Sequence, residues 1–209
     1  MQNGFRVAVA DSDELLLAAY ELRINVFQDE QGYERDIDSL DRTAVPMVLI
    51  RACDEKVVGV LRILSWPVPT SHATYDTAES LTSVDIPGRG RSHADMQAAF
   101  MQHQTTSVQD DTCWYSGAKL GRIAVSKDSR GQGCGRLLVE GAQAWVVQAV
   151  RQHASVPAEV HRLGIVFQLS SQIEVQPFYE SLGFQVQGDS YMEEGHPHIW
   201  CKKSVLTDV

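Results

Sequence analysis

Six consecutive residues, Arg130-Gly131-Gln132-Gly133-Cys134-Gly135, form the stretch of this chain best suited to chemistry. An apolar, β-branched run from Leu120 to Val125 leads into them through a short polar turn, and a long amphipathic segment follows. Strand, glycine-rich turn and helix in that order bring several backbone N–H groups and the positive end of a helix dipole to one point. Such a point attracts an anion, most often a phosphate. The glycines permit positive φ and keep side chains clear of a ligand, and Arg130 at the mouth of the turn can add charge-assisted hydrogen bonds. Cys134 is either a thiol activated by a helix N-terminus or a small residue that fits the turn. A dinucleotide fingerprint is excluded, because the sixth position counted from Gly131 is Arg136 and the turn lies past the middle of the chain. A nucleoside-triphosphate loop is excluded as well, since no Gly-Lys-Ser/Thr follows.

The elements that must position this turn are legible from periodicity. Phe5 to Ala10 predicts a first strand, and Asp11 with Glu14 opens a helix whose inner face is Leu15, Ala19, Leu22 and Val26. An acid-dense loop, QDEQGYERDIDSLDR, comes next. Met47 to Cys53 and Val57 to Leu64 predict an antiparallel hairpin. Residues 66 to 118 lack a sustained period and read as an insertion, with one short helix from Ser92, capped by Asp95, to about His103. Within it Pro87-Gly88-Arg89-Gly90-Arg91 reads as a flexible tip. After the central strand and turn, Gly135 to Gln152 predicts a helix with Leu138, Ala142, Trp145 and Ala149 inward. Leu163 to Leu169 is a further strand. Ser171 to Leu182 reads as a helix burying Val175, Phe178 and Leu182, with Gly183 ending it. Phe184 to Gln187 and His198 to Lys202 close the chain as short strands.

A chain of 209 residues suits one domain, 1–209, with a full core, and 44% hydrophobic against 22% charged residues places it among ordinary globular proteins. No apolar run is long enough to span a bilayer, and the N-terminus has no secretory or transit pattern, so a cytoplasmic protein without membrane partners is expected. Cys53, Cys113, Cys134 and Cys201 lack paired spacing, which argues against disulfide or zinc frameworks. The formal charge of −9 argues against nucleic acid and favours a cationic substrate such as an amine.

Arg130, Gly133 and Gly135 resemble the Gln/Arg-x-x-Gly-x-Gly/Ala loop of GNAT-superfamily N-acetyltransferases, and FYESLGF (Phe178 to Phe184) is similar to that superfamily's later motif. RINVFQDEQGYERDID, SSQIEVQPFYESLGF and YMEEGHPHIW narrow the resemblance to the ElaA-like branch. It covers about residues 5 to 65 and 119 to 203. It implies an α/β fold (α+β, mixed) whose mostly antiparallel central sheet is flanked by helices; the 66–118 insertion departs from that compact pattern and could cover the acceptor pocket. It also implies acetyl-CoA as cosubstrate, direct transfer to the primary amine of a small molecule, no metal, and a monomer or homodimer. Cofactor contacts would come from Ile123, Ala124, Val125, Arg130, Gly131, Gln132, Gly133, Cys134, Gly135 and Arg136, with Gln172 and Phe178.

Acetyl transfer from a thioester to an amine needs a held donor, a deprotonated amine and a proton for the departing thiolate. The resemblance assigns the proton to Tyr179, a phenol that stays protonated at neutral pH; the alternative is a ring that merely packs. For the base the candidates are Glu30, Asp38, His196 and His198, Glu30 first, with Asp38 and the two histidines also facing the acceptor. His196-Pro197-His198 lacks the third ligand that a metal site needs. Ser171 and Gln172 either bond the pantetheine or cap a helix, and Arg23 reads as a scaffold residue paired with the acidic loop. Two rival readings are a catalytically silent acyl-CoA-binding module and a protein lysine acetyltransferase. The Arg23 to Asp41 stretch is also similar to acyl-homoserine lactone synthases, but the complete glycine loop favours the transferase branch.

Overall fold

A computed structural model describes residues 4–34, 36–68, 85–156 and 158–209. Eight strands form one sheet in the order β1-β2-β3-β5-β6-β8-β7, with β4 pairing β5 beside that path. These are β1 (Phe5–Val9), β2 (Val45–Arg51), β3 (Lys56–Ser65), β4 (Thr106–Gln109), β5 (Thr112–Val125), β6 (Arg162–Gln172), β7 (Gln185–Glu193) and β8 (His196–Asp208). Neighbours are antiparallel except β5 and β6, which run parallel. Helix α1 (Asp13–Arg23) packs on one face, and α3 (Cys134–His153) with α2 (His93–Gln102) on the other; α4 is the short Gln176–Glu180.

Alternation along the strands assigns the faces. Leu49, Leu61, Ile63 and Leu120 meet Leu138, Ala142 and Val146 of α3, while Val48, Ile50, Val60 and Ala124 meet Ala19 and Leu22 of α1. Burying each such aliphatic side chain stabilises the fold by about 1.5–3 kcal/mol before the cost of ordering it.

Several boundaries differ from those the sequence predicts. Ser12, not Asp11, caps α1, accepting from the Leu15 amide. Beyond Arg23 the chain does not enter a loop at once but widens into a π-helical turn, Ile24–Glu30. The Ser92–Asp95 capping box and its helix are present as predicted. The supposed insertion, however, ends early, because β4 and the first half of β5 occupy 106–118. The Pro87–Arg91 tip is tied down: the Tyr20 hydroxyl donates to the Pro87 carbonyl, Arg89 pairs with Asp13, and Arg91 donates to the Ala44 carbonyl. Part of the 66–118 segment, 69–84, lies outside the described residues. Ser171 and Gln172 end β6 and do not begin a helix, so Val175 is 42% exposed. The two final strands are long and form a hairpin whose turn uses Glu194 and Gly195, both at positive φ.

Candidate active site

The site exists because two parallel neighbours part company. Pairing of β5 with β6 stops at Lys119↔Gln168; β5 then runs on beside β3 to Val125, and β6 beside β8 to Gln172. From Leu120 onward the β6-facing edge of β5 has no partner strand among the described residues, so its peptide groups are open to an extended amide-bearing ligand. A cleft of about 270 Å³ opens in the gap, lined by Leu120 to Ile123, by Ser170 to Gln172 and by Phe178 and Tyr179. Arg122 and Ile123 stand opposite Leu61 alone, a bulge, and Arg122 takes φ 50°. A left-handed conformation at a non-glycine residue costs about 1–2 kcal/mol and here re-aims the backbone at the cleft. A second bulge makes the approach to the gap. Gly117, at φ 77°, passes so close to β6 that a Cβ would lie 1.8 Å from the Val166 carbonyl oxygen.

The glycine loop follows directly. Gly131 and Gly133 sit at φ 76° and 78°, and a Cβ on either would meet nothing within 4 Å, so conformation and not crowding selects glycine there. Gly133 is the N-cap of α3 and offers no side chain to its amides; Leu137 N–H is the first to reach back, to Gly133 O at 3.1 Å. The positive end of a 20-residue helix therefore faces the loop uncapped. Gly135 lets the helix start close to the cleft wall, since a Cβ there would be 3.1 Å from the Phe178 ring. Gln132 bonds the Asp128 carbonyl, and Arg136 reaches Glu140 and Ser181. Cys134 is 2% exposed and burial raises its thiol pKa. The activated-thiol alternative is therefore corrected: Cys134 packs.

Tyr179 packs between Phe178 and Phe184, with ring centroids 5.0 and 6.0 Å away, and is 8% exposed. Burial pushes its phenol well above the ordinary value, helped by Cys201. No group among the described residues bonds its hydroxyl, and the residue lines the cleft. Pro177 in the first turn of α4 presets the backbone that presents it.

The remaining sequence candidates fall into two groups. His198 and Gln172 line the cleft. His198 is 8% exposed, and its Nδ1 lies 2.9 Å from the His196 carbonyl; a proton on Nδ1 donates there and leaves Nε2 as an acceptor. Gln172 donates to the Tyr33 hydroxyl at 2.6 Å. Glu30, Asp38 and His196 are not in the lining. Glu30 pairs with Arg130 at 2.7 Å, and Arg130 also donates to the Val125 carbonyl, which ties the loop to the π-helical turn. Asp38 caps the 3₁₀ turn Ser39–Arg42 and pairs with Arg62. His196 packs against Tyr33 with the rings tilted and their centroids 5.2 Å apart. No described residue of 66–118 lines the cleft, so the expectation that this stretch covers the pocket is not met among them.

Sequence reasoning missed Arg62, Lys119, Arg122, Tyr33 and Glu193, all of which line the cleft. The signal was present: Arg62 and Lys119 are charges inside otherwise apolar strands, which burial tolerates only with a purpose. Arg23 is the scaffold residue expected. It is 2% exposed and bonds Asp36 at 2.6 Å and Asp41 at 2.7 Å, anchoring the acidic loop that walls the cleft.

A mixed sheet splayed at one parallel pair, with an uncapped glycine loop at the end of the splayed strand, is the acyl-CoA N-acyltransferase fold of the GNAT superfamily. Residues 98–186 match the family model described as an acetyltransferase (GNAT) domain. The crystal structure of Escherichia coli ElaA superposes with a TM-score of 0.57 at 20% identity, over 95% of this chain and 97% of that one. An acyl-CoA N-acyltransferase from Pseudomonas aeruginosa gives 0.56 at 20%, over 95% and 98%. In sequence, a UPF0039 protein of Schizosaccharomyces pombe is 36% identical over 81 residues, 39% of this chain and 47% of the relative. The chain spans about half the length of the curated relatives it matches first, 47% and 53%. No helix among the described residues is long and apolar enough to cross a membrane.

Proposed function

We propose that the chain transfers the acetyl group of acetyl-CoA directly to the primary amine of a small molecule. The observation that carries this reading is the splay itself: the cleft is lined by the free edge of β5 at Leu120 to Ile123 and by Tyr179, and β5 leads through a short turn to the uncapped N-terminus of α3. The loop amides of residues 131–136 would hold the pyrophosphate, and the edge of β5 from Leu120 to Val125 the amides of the pantetheine arm. Acetyl-CoA supplies an already activated thioester. His198 Nε2 accepts a proton from the amine, directly or through a water, as nitrogen attacks the carbonyl carbon. Backbone N–H groups at the Arg122–Ile123 bulge meet the charge that develops on the carbonyl oxygen. The C–S bond breaks, and Tyr179 gives its proton to the thiolate. Glu30 serves to hold Arg130 and is not the base.

The test is thiol release from acetyl-CoA over a panel of polyamines, amino sugars, amino acids and lysine peptides, with wild type and Tyr179→Phe. Release with at least one amine, reduced in the variant, is expected. Tight CoA binding without release over the whole panel would replace catalysis by a sensing role.

A further inference from the structure

Most charges around the cleft satisfy one another. Arg23 is taken by Asp36 and Asp41, and Arg122 reaches Asp36 at 3.0 Å. Arg62 meets Asp38 at 2.7 Å and Asp41 at 3.2 Å through its Nη1 alone. Three groups remain unspent. Arg62 is 7% exposed, lines the cleft, and its Nε has no acceptor. Lys119 has its ammonium 5.0 Å from the centre of the Trp200 ring and, among the described residues, no carboxylate in ion-pair contact. Glu193 is bonded by the hydroxyls of Ser170 and Tyr191 but has, among the described residues, no cation in ion-pair contact.

Register brings the two cations together. Arg62 pairs with Gly121 and Leu64 with Lys119, so both side chains stand on one face of adjacent strands as diagonal neighbours. That face is the one α1 covers, opposite the face carrying Leu61, Ile63, Leu120 and the Tyr179 cluster. The donor and these cations thus address the gap from opposite sides of the sheet. Burial holds the Lys119 ammonium below its ordinary pKa; Glu193 and Asp38 oppose this, and Arg62 and Arg122 add to it. A buried donor without an acceptor, beside a half-buried cation with no carboxylate in ion-pair contact among the described residues, is a site that an anion stabilises.

We infer that the acceptor is a small amino carboxylate, a free amino acid, whose carboxylate docks on Arg62 and Lys119 while its amino group lies at Glu193. One zwitterion supplies both missing partners: two carboxylate oxygens for the two cations, and an ammonium for the lone carboxylate. This inference rests on the acetyl-transfer reading; the product would be an N-acetyl amino acid, with the thiol of CoA released.

Binding can be read without turnover. Calorimetric titration of alanine, phenylalanine and glutamate, each beside its amide and its decarboxylated amine, should show the amino acids binding at least about ten-fold more tightly, the weight of one charged contact. Lys119→Met should erase that preference and Lys119→Arg restore part of it, with the heat of CoA binding unchanged in both as a check that the fold is intact. Equal affinity for amines, amides and amino acids, or a preference that survives Lys119→Met, overturns the inference while CoA binding still upholds the transferase reading. Failure of every amino acid to bind the wild type overturns it too. Amino acids bound with the expected preference by a protein that gives no heat with CoA would uphold the carboxylate site and sink the acetyl-transfer reading instead.

Discussion

Replacing Tyr179 by Phe separates chemistry from structure unusually well. The ring packs between Phe178 and Phe184, and the hydroxyl has no bonded partner among the described residues, so its removal breaks no hydrogen bond to them. Losing a hydroxyl without a protein partner should change stability by no more than about 1 kcal/mol, and in either direction. Losing a general acid should lower kcat by about 100-fold or more, equivalent to at least about 2.7 kcal/mol in the barrier. The raised phenol pKa does not forbid proton donation. A thiolate forming in the same apolar cleft is destabilised by the same desolvation, so the two affinities for the proton move together. It does set the pH behaviour: the phenol stays protonated beyond its ordinary value of about 10, and no alkaline fall in wild-type kcat below that pH should trace to it. The assay is steady-state thiol release at saturating acetyl-CoA, with CoA affinity and urea denaturation measured on the same preparations. A variant with wild-type kcat, or one whose loss of rate tracks a loss of CoA affinity, would refute the proton-donor role.

Four further substitutions test the frame and the remaining chemistry. Gly117→Ala puts a Cβ 1.8 Å from the Val166 carbonyl at φ 77°, and urea denaturation should show a loss of about 2–4 kcal/mol from left-handed strain and overpacking together. Asp41→Asn should cost about 3–5 kcal/mol at neutral pH by leaving Arg23 and Arg62 short of a counter-charge. Burial alone would raise the Asp41 pKa, but Arg23 and Arg62 hold it below the ordinary carboxylate range. Its contribution is therefore complete above about pH 4 and is lost as pH falls through the depressed value, so the variant's stability should fall less than that of wild type between about pH 4 and pH 2. Glu30→Gln should weaken acetyl-CoA binding, by freeing Arg130, and leave kcat at saturation within about five-fold, whereas His198→Gln should lower kcat about 100-fold with acetyl-CoA affinity kept. The reverse pattern in initial-rate kinetics would return the base to Glu30.

The parts of this fold that were legible in sequence are those set by local physics. A glycine-rich turn between an apolar run and an amphipathic segment specifies a strand, an uncapped helix start and positive φ wherever it lies in space, and Gly131, Gly133 and α3 are as read. The inward face Leu138, Ala142, Trp145 and Ala149 follows from one period of 3.6 and is buried throughout. What escaped depends on pairing across the sheet. The first half of β5 looked like insertion because Ser116, Gly117 and the polar residues before them break strand alternation. Its neighbours β4 and β6 and the Gly117 bulge supply the order that the local pattern lacks. In the same way β7 and β8 are polar enough beyond Phe184–Gln187 and His198–Lys202 to read only as short strands, and their mutual pairing, together with that of β8 to β6, makes them long ones.

The acceptor side of the cleft was hidden for the same reason, and there the cost of hiding it was functional. Arg62 and Lys119 lie more than fifty positions apart on two strands, and Glu193 is on a third; only the order β3-β5-β6-β8-β7 brings them to one opening. The donor half of such a site can be built from consecutive residues, because a diphosphate and an extended arm need backbone groups in a row. An acceptor is a compact molecule with few charges. Recognising it takes isolated side chains converging from several strands, each unremarkable along the chain. The glycine loop is thus legible in one line of sequence, whereas the proposed acceptor contacts, Arg62 Nε, the Lys119 ammonium and the Glu193 carboxylate, are legible only once the sheet is assembled.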